Sequence, residues 1–277
     1  MIVINIAKCI FLYYINVYFT IIIIVNMLPK NFKPNANYDL LRLGKDNDGG
    51  YLVCKESIRC AKVLLSFGIS DDISFETDFK KLNNCQIIAF DPTSTDKFFF
   101  KRIVSNLIKF KFKNFFYSLL NFYNFKKFFN KNNNLLVKKK IGIGGSLPFE
   151  SISFDKIILL TREKKDFFLK IDIEGSEYRI LHDLIKNSNL IAGLTIEFHD
   201  VDIHLDKISD FIKNIDLDLV HIHPNNYAEL GMNNIPSLLE LTFAQNPIKI
   251  GSNFILPHKL DQKNDPNSQN IDLFFTE

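Results

Sequence analysis

Two carboxylates, Asp172 and Glu174, interrupt the end of an apolar run in FFLKIDIEGSEYRIL, residues 167–181. On an extended chain they share one side with Lys170, while Ile171 and Ile173 face the other way. Acids so placed can hold a cation or orient a small ligand, or they can neutralise Lys170 and cap the following helix. A second apolar run, LIAGLTIEFHD, closes with Glu197 and His199 on the side that also carries Thr195. Imidazole titrates close to neutrality, so His199 is the candidate general base for a hydroxyl proton, with a structural bond to a carboxylate as the alternative. Asp172, Glu174 and His199 together offer ligands that a divalent ion accepts, yet no spacing motif demands one and no metal is expected. His221 and His223 face alike on LDLVHIHPNN and read as packing residues or as substrate ligands.

A further pair lies upstream. The run VLLSF ends at Gly68, and QIIAF ends at Asp91, about twenty residues later. Glycine at a strand end lets a ligand approach the backbone, and an acid at the next strand end accepts hydrogen bonds from both hydroxyls of a ribose. That is the logic of an adenosine site. The turn reads FGISDD instead of GxGxxG, so a nucleoside without phosphates fits it better than NAD. GIGGS, residues 142–146, lacks the GK[ST] ending of a phosphate loop and reads as a loop beside the adenine, led by Gly142.

Positioning these residues requires an alternation of strands and helices. Strands are expected at 63–67, 86–90, from 135, at 167–173 and over LIAGLTIEF, with helices from Ser74, over FDKIILLTRE, after Ser176 and near 205–215. LDLVHIHPNN and SLLELTFA follow each other without a long helix between them and should pair antiparallel. YDLLRLGKDNDGGYLV, with its Asn-Asp-Gly-Gly centre, reads as an opening hairpin. The outcome is a mostly parallel α/β sheet with one reversed strand.

The 277 residues suffice for one large domain, read as 38–256, with a polar C-terminal tail at 257–277. The whole chain carries +3, but Lys97 to Lys140 holds twelve Lys or Arg and no acid, so the remainder carries −9. This basic, Phe-rich insertion, 96–134, repeats apolar pairs at near-helical spacing; it reads as a lid over the sheet or, across 97–131, as a membrane-surface helix. Its aromatics follow the stripe to be buried, so an open stacking platform is not expected and nucleic acid is disfavoured as a partner. Cys9, Cys54, Cys60 and Cys85 form no CxxC pair, which fits a reducing compartment. Residues 1–28 are apolar enough to engage a membrane; they read as an anchor or as a run upstream of a true start at Met27. Lys30 and Lys33 after the run favour a cytoplasmic body, membrane-associated if the anchor is real.

With those positions assembled, the sequence resembles the FkbM family of class I S-adenosylmethionine-dependent methyltransferases over about residues 41–244. LKIDIEGSEYRIL carries the resemblance most strongly, supported by LGKDNDGGYLV, LLSFGISDDISFE, AFDPT, IEFHD and HIHPNNYAELG. The resemblance implies a Rossmann-like seven-stranded sheet with its last strand inserted antiparallel and helices on both faces. It implies S-adenosylmethionine as cofactor and methyl transfer to a hydroxyl of a sugar, glycan or related small molecule. It aligns the cofactor turn with Phe67 and Gly68, the ribose acid with Asp91, and the methyl-proximal strand end with Asp172 and Glu174. A sulfonium is permanently cationic, and Asp172 is the first choice for holding it. FGISDD departs from the DxGxNxG form of many relatives, which leaves the methionine end without assigned partners. A membrane-associated nucleoside-binding protein without turnover and an NAD-dependent oxidoreductase are the competing readings. Oligomeric state is not encoded in these motifs.

Overall fold

VLLSF, QIIAF and FFLKI are almost continuously apolar, which suits strands covered on both faces. In the computed structural model, which describes residues 27–130, 133–142, 150–161 and 166–277, they occupy the middle of a seven-stranded sheet. In chain order the elements that position the site are β1 (Leu40–Gly44), β2 (Gly50–Cys54), α1 (Lys55–Cys60), β3 (Val63–Phe67), α2 (Ser74–Leu82), β4 (Gln86–Phe90), α3 (Asp96–Ile108), α4 (Phe112–Asn130) and β5 (Leu135–Val137). They continue with α5 (Phe154–Leu160), β6 (Phe167–Ile171), α6 (Leu181–Lys186), β7 (Ile191–Phe198), α7 (Val201–Asn214), β8 (Asp218–Pro224) and β9 (Leu239–Ala244). The sheet order is β8-β9-β7-β6-β3-β4-β5, parallel throughout except for β9, which runs antiparallel to both β7 and β8. The chain winds outward from β3 to β5, then returns to β6 and winds the other way. The order therefore reverses between β3 and β6, the place where open α/β sheets bind ligands.

The two faces of the sheet differ in chemistry. One buries Leu65, Phe67, Leu169, Ile171, Ile196 and Phe243 against α5, α6 and α7, through Phe154, Leu184, Ile208 and Phe211. The other is apolar only at its lower end, where Leu64, Ile87 and Phe168 meet Tyr51, Phe75 and Phe79. Toward the carboxyl edge it becomes polar in two lateral rows set by strand register. Ser66, Lys170, Thr195, Thr242 and His221 form one; Glu197, Glu240 and His223 form the other. The β1–β2 hairpin covers part of these rows, with the Thr242 hydroxyl donating to Leu52 O at 2.6 Å.

Three expectations change in detail. The strand of residues 167–173 ends at Ile171, because Glu174 and Gly175 both adopt left-handed backbone, at φ 52° and 83°. Ser176 does not cap the expected helix; a 3-10 turn, Glu177–Arg179, precedes the short α6. Glu177 is fully buried beneath this turn and fixes its course by accepting a hydrogen bond from the His199 backbone N–H at 2.7 Å. The basic insertion is two helices, α3 and α4, folded into a hairpin.

The folded body extends on either side of residues 38–256. Leu28 and Phe32 enter the main core, Met27–Leu28 pair with Phe274–Phe275, and the polar 257–277 segment docks on the β8 side of the sheet. The anchor reading of residues 1–28 falls, up to residue 26, outside the described residues. Among the described residues no helix is long and apolar enough to cross a membrane.

Candidate functional site

A cavity of about 610 Å³ opens at the point where the sheet order reverses. Its floor is the crossing of β3 and β6. Gly68 leaves β3 at φ 75°, and a side chain there would put its Cβ 1.6 Å from the carbonyl oxygen of Asp172. Only glycine permits that approach. The Asp172 amide donates to Phe67 O at 3.0 Å, and the Lys170 ammonium donates to Gly68 O at 2.8 Å, so the two strand ends are tied together at the cavity floor.

Asp91 lies at the same edge and lines the cavity, but its carboxylate already has partners. Oδ2 accepts from the Ile69 and Ser70 amides at 3.0 and 2.6 Å. Oδ1 accepts from the Thr93 amide and hydroxyl at 2.6 and 2.7 Å, and from the Ser94 amide at 3.2 Å. Asp91 thus binds the loop after β3 to the loop after β4. It also consumes the amides that a pyrophosphate would need. Around it the lining holds seven carboxylates and four lysines, an excess of negative charge suited to a cationic ligand.

Asp172 and Glu174 both line the cavity, with different freedom. Asp172 stands 3.6 Å from the Lys170 ammonium and accepts from the Tyr51 hydroxyl at 3.1 Å; Glu174 is 86% exposed at its side chain. The same Tyr51 hydroxyl lies 3.1 Å from Glu197 Oε2, while Asn225 donates to Glu197 Oε1 at 2.8 Å. Burial pushes Glu197 up to about 8, reinforced by Asp172 and Glu240. Burial alone would lower Lys170, but Asp172, Glu76 and Glu197 outweigh it and its pKa is raised. The ammonium also lies over the Tyr51 ring, 5.4 Å from its centroid. Glu76, buried and reached by the Ser66 hydroxyl, has one carboxylate oxygen with no hydrogen-bond partner among the described residues and is raised by its burial.

His199 does not line the cavity but adjoins it through Glu174, whose Oε2 is 3.4 Å from His199 Nε2. Its Nδ1 is 3.3 Å from Glu177 Oε1. Burial would lower this imidazole, but the Glu177 carboxylate, helped by Glu197 and Asp172, raises it to about 9. At neutral pH it is therefore an imidazolium, and the sequence expectation of a histidine near its ordinary pKa is corrected. Ligand atoms of Asp172, Glu174 and His199 all lie within 4.8 Å of one another, close enough to converge on a divalent ion. The fold thus gathers these three residues, as strand-end chemistry predicts.

Two expected cofactor contacts stand elsewhere. The Phe67 side chain is fully buried on the opposite face, edge-on to Phe90 and Phe154. Gly142 follows the lining segment Lys139–Ile141 without lining the cavity itself, and the rest of GIGGS lies outside the described residues. Sequence reasoning missed Tyr51, Glu76 and Glu177. Glu177 carried a legible signal: an acid directly after Ser176, where a helix start is expected, in a segment otherwise turning apolar.

No protein-family model matches the sequence, and no curated protein matches it. Solved structures show only distant similarity to it. Precorrin-6y C5,15-methyltransferase from Geobacter metallireducens GS-15 is 14% identical, with 69% of this chain and 86% of that one covered, at a TM-score of 0.37. An rRNA methylase from Streptococcus thermophilus is 9% identical over 69% of this chain and 94% of that one, with a TM-score of 0.36. M. jannaschii TYW2, in complex with AdoMet, is 9% identical over 69% and 74%, with a TM-score of 0.34. Likenesses this distant carry no functional weight, and the site must speak for itself. The class defined by the chain's own sheet is a doubly wound α/β fold with one reversed strand and a ligand cavity at its switch point.

Proposed function

We propose that the chain is an S-adenosylmethionine-dependent methyltransferase acting on a hydroxyl of a sugar, glycan or related small molecule. One observation carries the cofactor reading: an acid-rich cavity at the switch point whose first-turn amides are spent on Asp91. Such a cavity favours a nucleoside bearing positive charge over a dinucleotide bearing a pyrophosphate. When bound, S-adenosylmethionine supplies an electrophilic methyl group beside a sulfonium. Asp172 would hold that charge, Gly68 would admit the ligand close to the backbone, and Asp91 ties together the two loops that line the cavity. Transfer to an alcohol also requires that the hydroxyl lose its proton, a role this reading assigns to His199 in its neutral form, and its contact with Glu174 at the cavity edge supports that assignment.

The acceptor class rests on the resemblance of LKIDIEGSEYRIL and IEFHD to the FkbM family. Calorimetry tests the cofactor reading first. S-adenosylhomocysteine should bind while NAD gives no heat; binding of NAD instead, or of neither, rejects it. Tritium transfer from labelled S-adenosylmethionine to a panel of sugars and nucleotide sugars then tests the acceptor class, and EDTA in a parallel series tests whether Asp172, Glu174 and His199 recruit a metal ion.

A further inference from the structure

We propose that the tip of the α3–α4 hairpin docks on an anionic lipid surface. The base of the hairpin is fixed: Phe99 and Phe125 pack with Ile69, Ile73 and Ala89 against the sheet. Arg102 pairs with Asp71, and Asn121 donates to Asp71 O at 2.9 Å, so the hairpin braces the loop after β3. Among the described residues none from the hairpin lines the cavity, so its Phe face packs over the sheet beside the cavity.

Beyond that base, among the described residues, the apolar side chains at the tip are left largely open. Ile108, Phe110, Phe112, Phe116 and Tyr117 are 55–78% exposed. A monomeric protein seldom leaves so dense an apolar group in water without a use. The tip is built to keep its shape. Phe110 takes a left-handed turn at φ 52°, the Lys111 amide donates to Asn106 O at 2.9 Å, and the Asn106 side chain donates to Ser118 Oγ at 3.0 Å.

Lys109, Lys111 and Lys113 alternate with these aromatics, and among the described residues no acid pairs with them. Apolar side chains that enter the acyl boundary, ringed by lysines at headgroup level, match an anionic membrane in both polarity and charge. A second copy of the chain fits poorly, since it would bring two such lysine clusters together.

The chain contains no tryptophan, so Phe110→Trp in the full-length protein creates a single emitter at the tip. Vesicles of phosphatidylserine and brominated phosphatidylcholine should shift its emission to the blue and quench it. Vesicles of phosphatidylcholine alone should not. Raising salt from 0.1 to 1 M, which shortens the Debye length from about 10 to about 3 Å, should reverse the effect. In the Lys109→Gln/Lys111→Gln/Lys113→Gln background vesicle affinity should fall about a hundredfold. Tyr227→Trp, exposed but outside the hairpin, should stay unquenched, so that tethering through residues 1–26 cannot imitate the result. Phe112→Trp repeats the measurement should position 110 disturb the turn. Absence of quenching at both tip positions, an equal response to neutral vesicles, or a blue shift produced by protein concentration alone would overturn the proposal.

Discussion

His199 shows how a neighbour decides what a residue can do. Glu177 reaches both its backbone N–H and its ring, and the raised pKa of about 9 follows mainly from that carboxylate winning over burial. A base must be neutral to accept a proton, so methyl transfer should accelerate as pH rises and level off above about 9. Glu177→Gln should move that midpoint toward neutral pH, an outcome that a loss of folding would not give. His199→Gln should leave S-adenosylhomocysteine affinity unchanged while reducing turnover by about 10² to 10⁴-fold. A flat pH profile would point to Asp172 or a metal ion as the activating group. Gly68 makes the opposite case, of a residue defined by what it lacks. Gly68→Ala sets a Cβ 1.6 Å from the Asp172 carbonyl at a left-handed φ, and should cost about 3 kcal/mol of stability in denaturant titration, together with ligand binding. Both Gly68 and Asp172 were legible in the sequence because strand ends announce themselves by a change of residue type. Tyr51 was not, since it meets Asp172 and Glu197 across 121 and 146 residues of chain.

Among the elements, the strands read most clearly. Val63–Phe67 and Gln86–Phe90 are bounded where the sequence predicts, because an apolar run stops at Gly68 in one case and at Asp91-Pro92 in the other. The helix after Gly175 read less well: the buried Glu177 and the left-handed Glu174 shorten it, and neither is visible in apolar spacing. The insertion displayed its helical period but not its fold-back, which depends on one residue, Phe110, taking a turn that aromatic side chains seldom adopt. The loops after β3 and β4 depend on Asp91 as a shared clasp. Asp91→Ala releases several amides at once and should cost about 2 to 4 kcal/mol of stability as well as nucleoside affinity. Calorimetry and denaturant titration on the same sample separate the two losses: unchanged stability would mean that the clasp does not form.

Across the whole molecule, the polar rows on one sheet face connect the cavity to the far edge. There the C-terminal segment closes them: Asp261 lies 2.9 Å from His221 Nε2 and 3.6 Å from His223 Nδ1, and Asn264 donates to Glu240 at 2.7 Å. Burial would lower His223, but Asp261 and Glu240 raise it to about 9, and the same histidines hold Asp261 well below the usual carboxylate range against its burial. A raised histidine stabilises fully below its unfolded value of about 6.5 and loses its contribution as pH climbs through 9. The depressed carboxylate stabilises above its unfolded value and fails only in strong acid. Asp261→Asn should therefore lower stability by about 3 kcal/mol at neutral pH, with the gap to the parent protein narrowing as pH passes 9 in thermal melts. The sheet itself was legible in outline, but its polar face was not, because alternation along one strand cannot reveal which lateral neighbours it will meet.

The reversed strand has a consequence for how the chain is made. β9 lies between β7 and β8, yet it is the last of the seven to leave the ribosome. Until residue 244 has emerged, β7 presents an open row of amides and carbonyls, and β8 has no partner beside it. A nascent chain halted before β9 therefore carries the template for intermolecular pairing that the finished protein hides. Truncations ending between residues 225 and 238 should aggregate, where those that only remove part of the docked C-terminal segment should stay in solution.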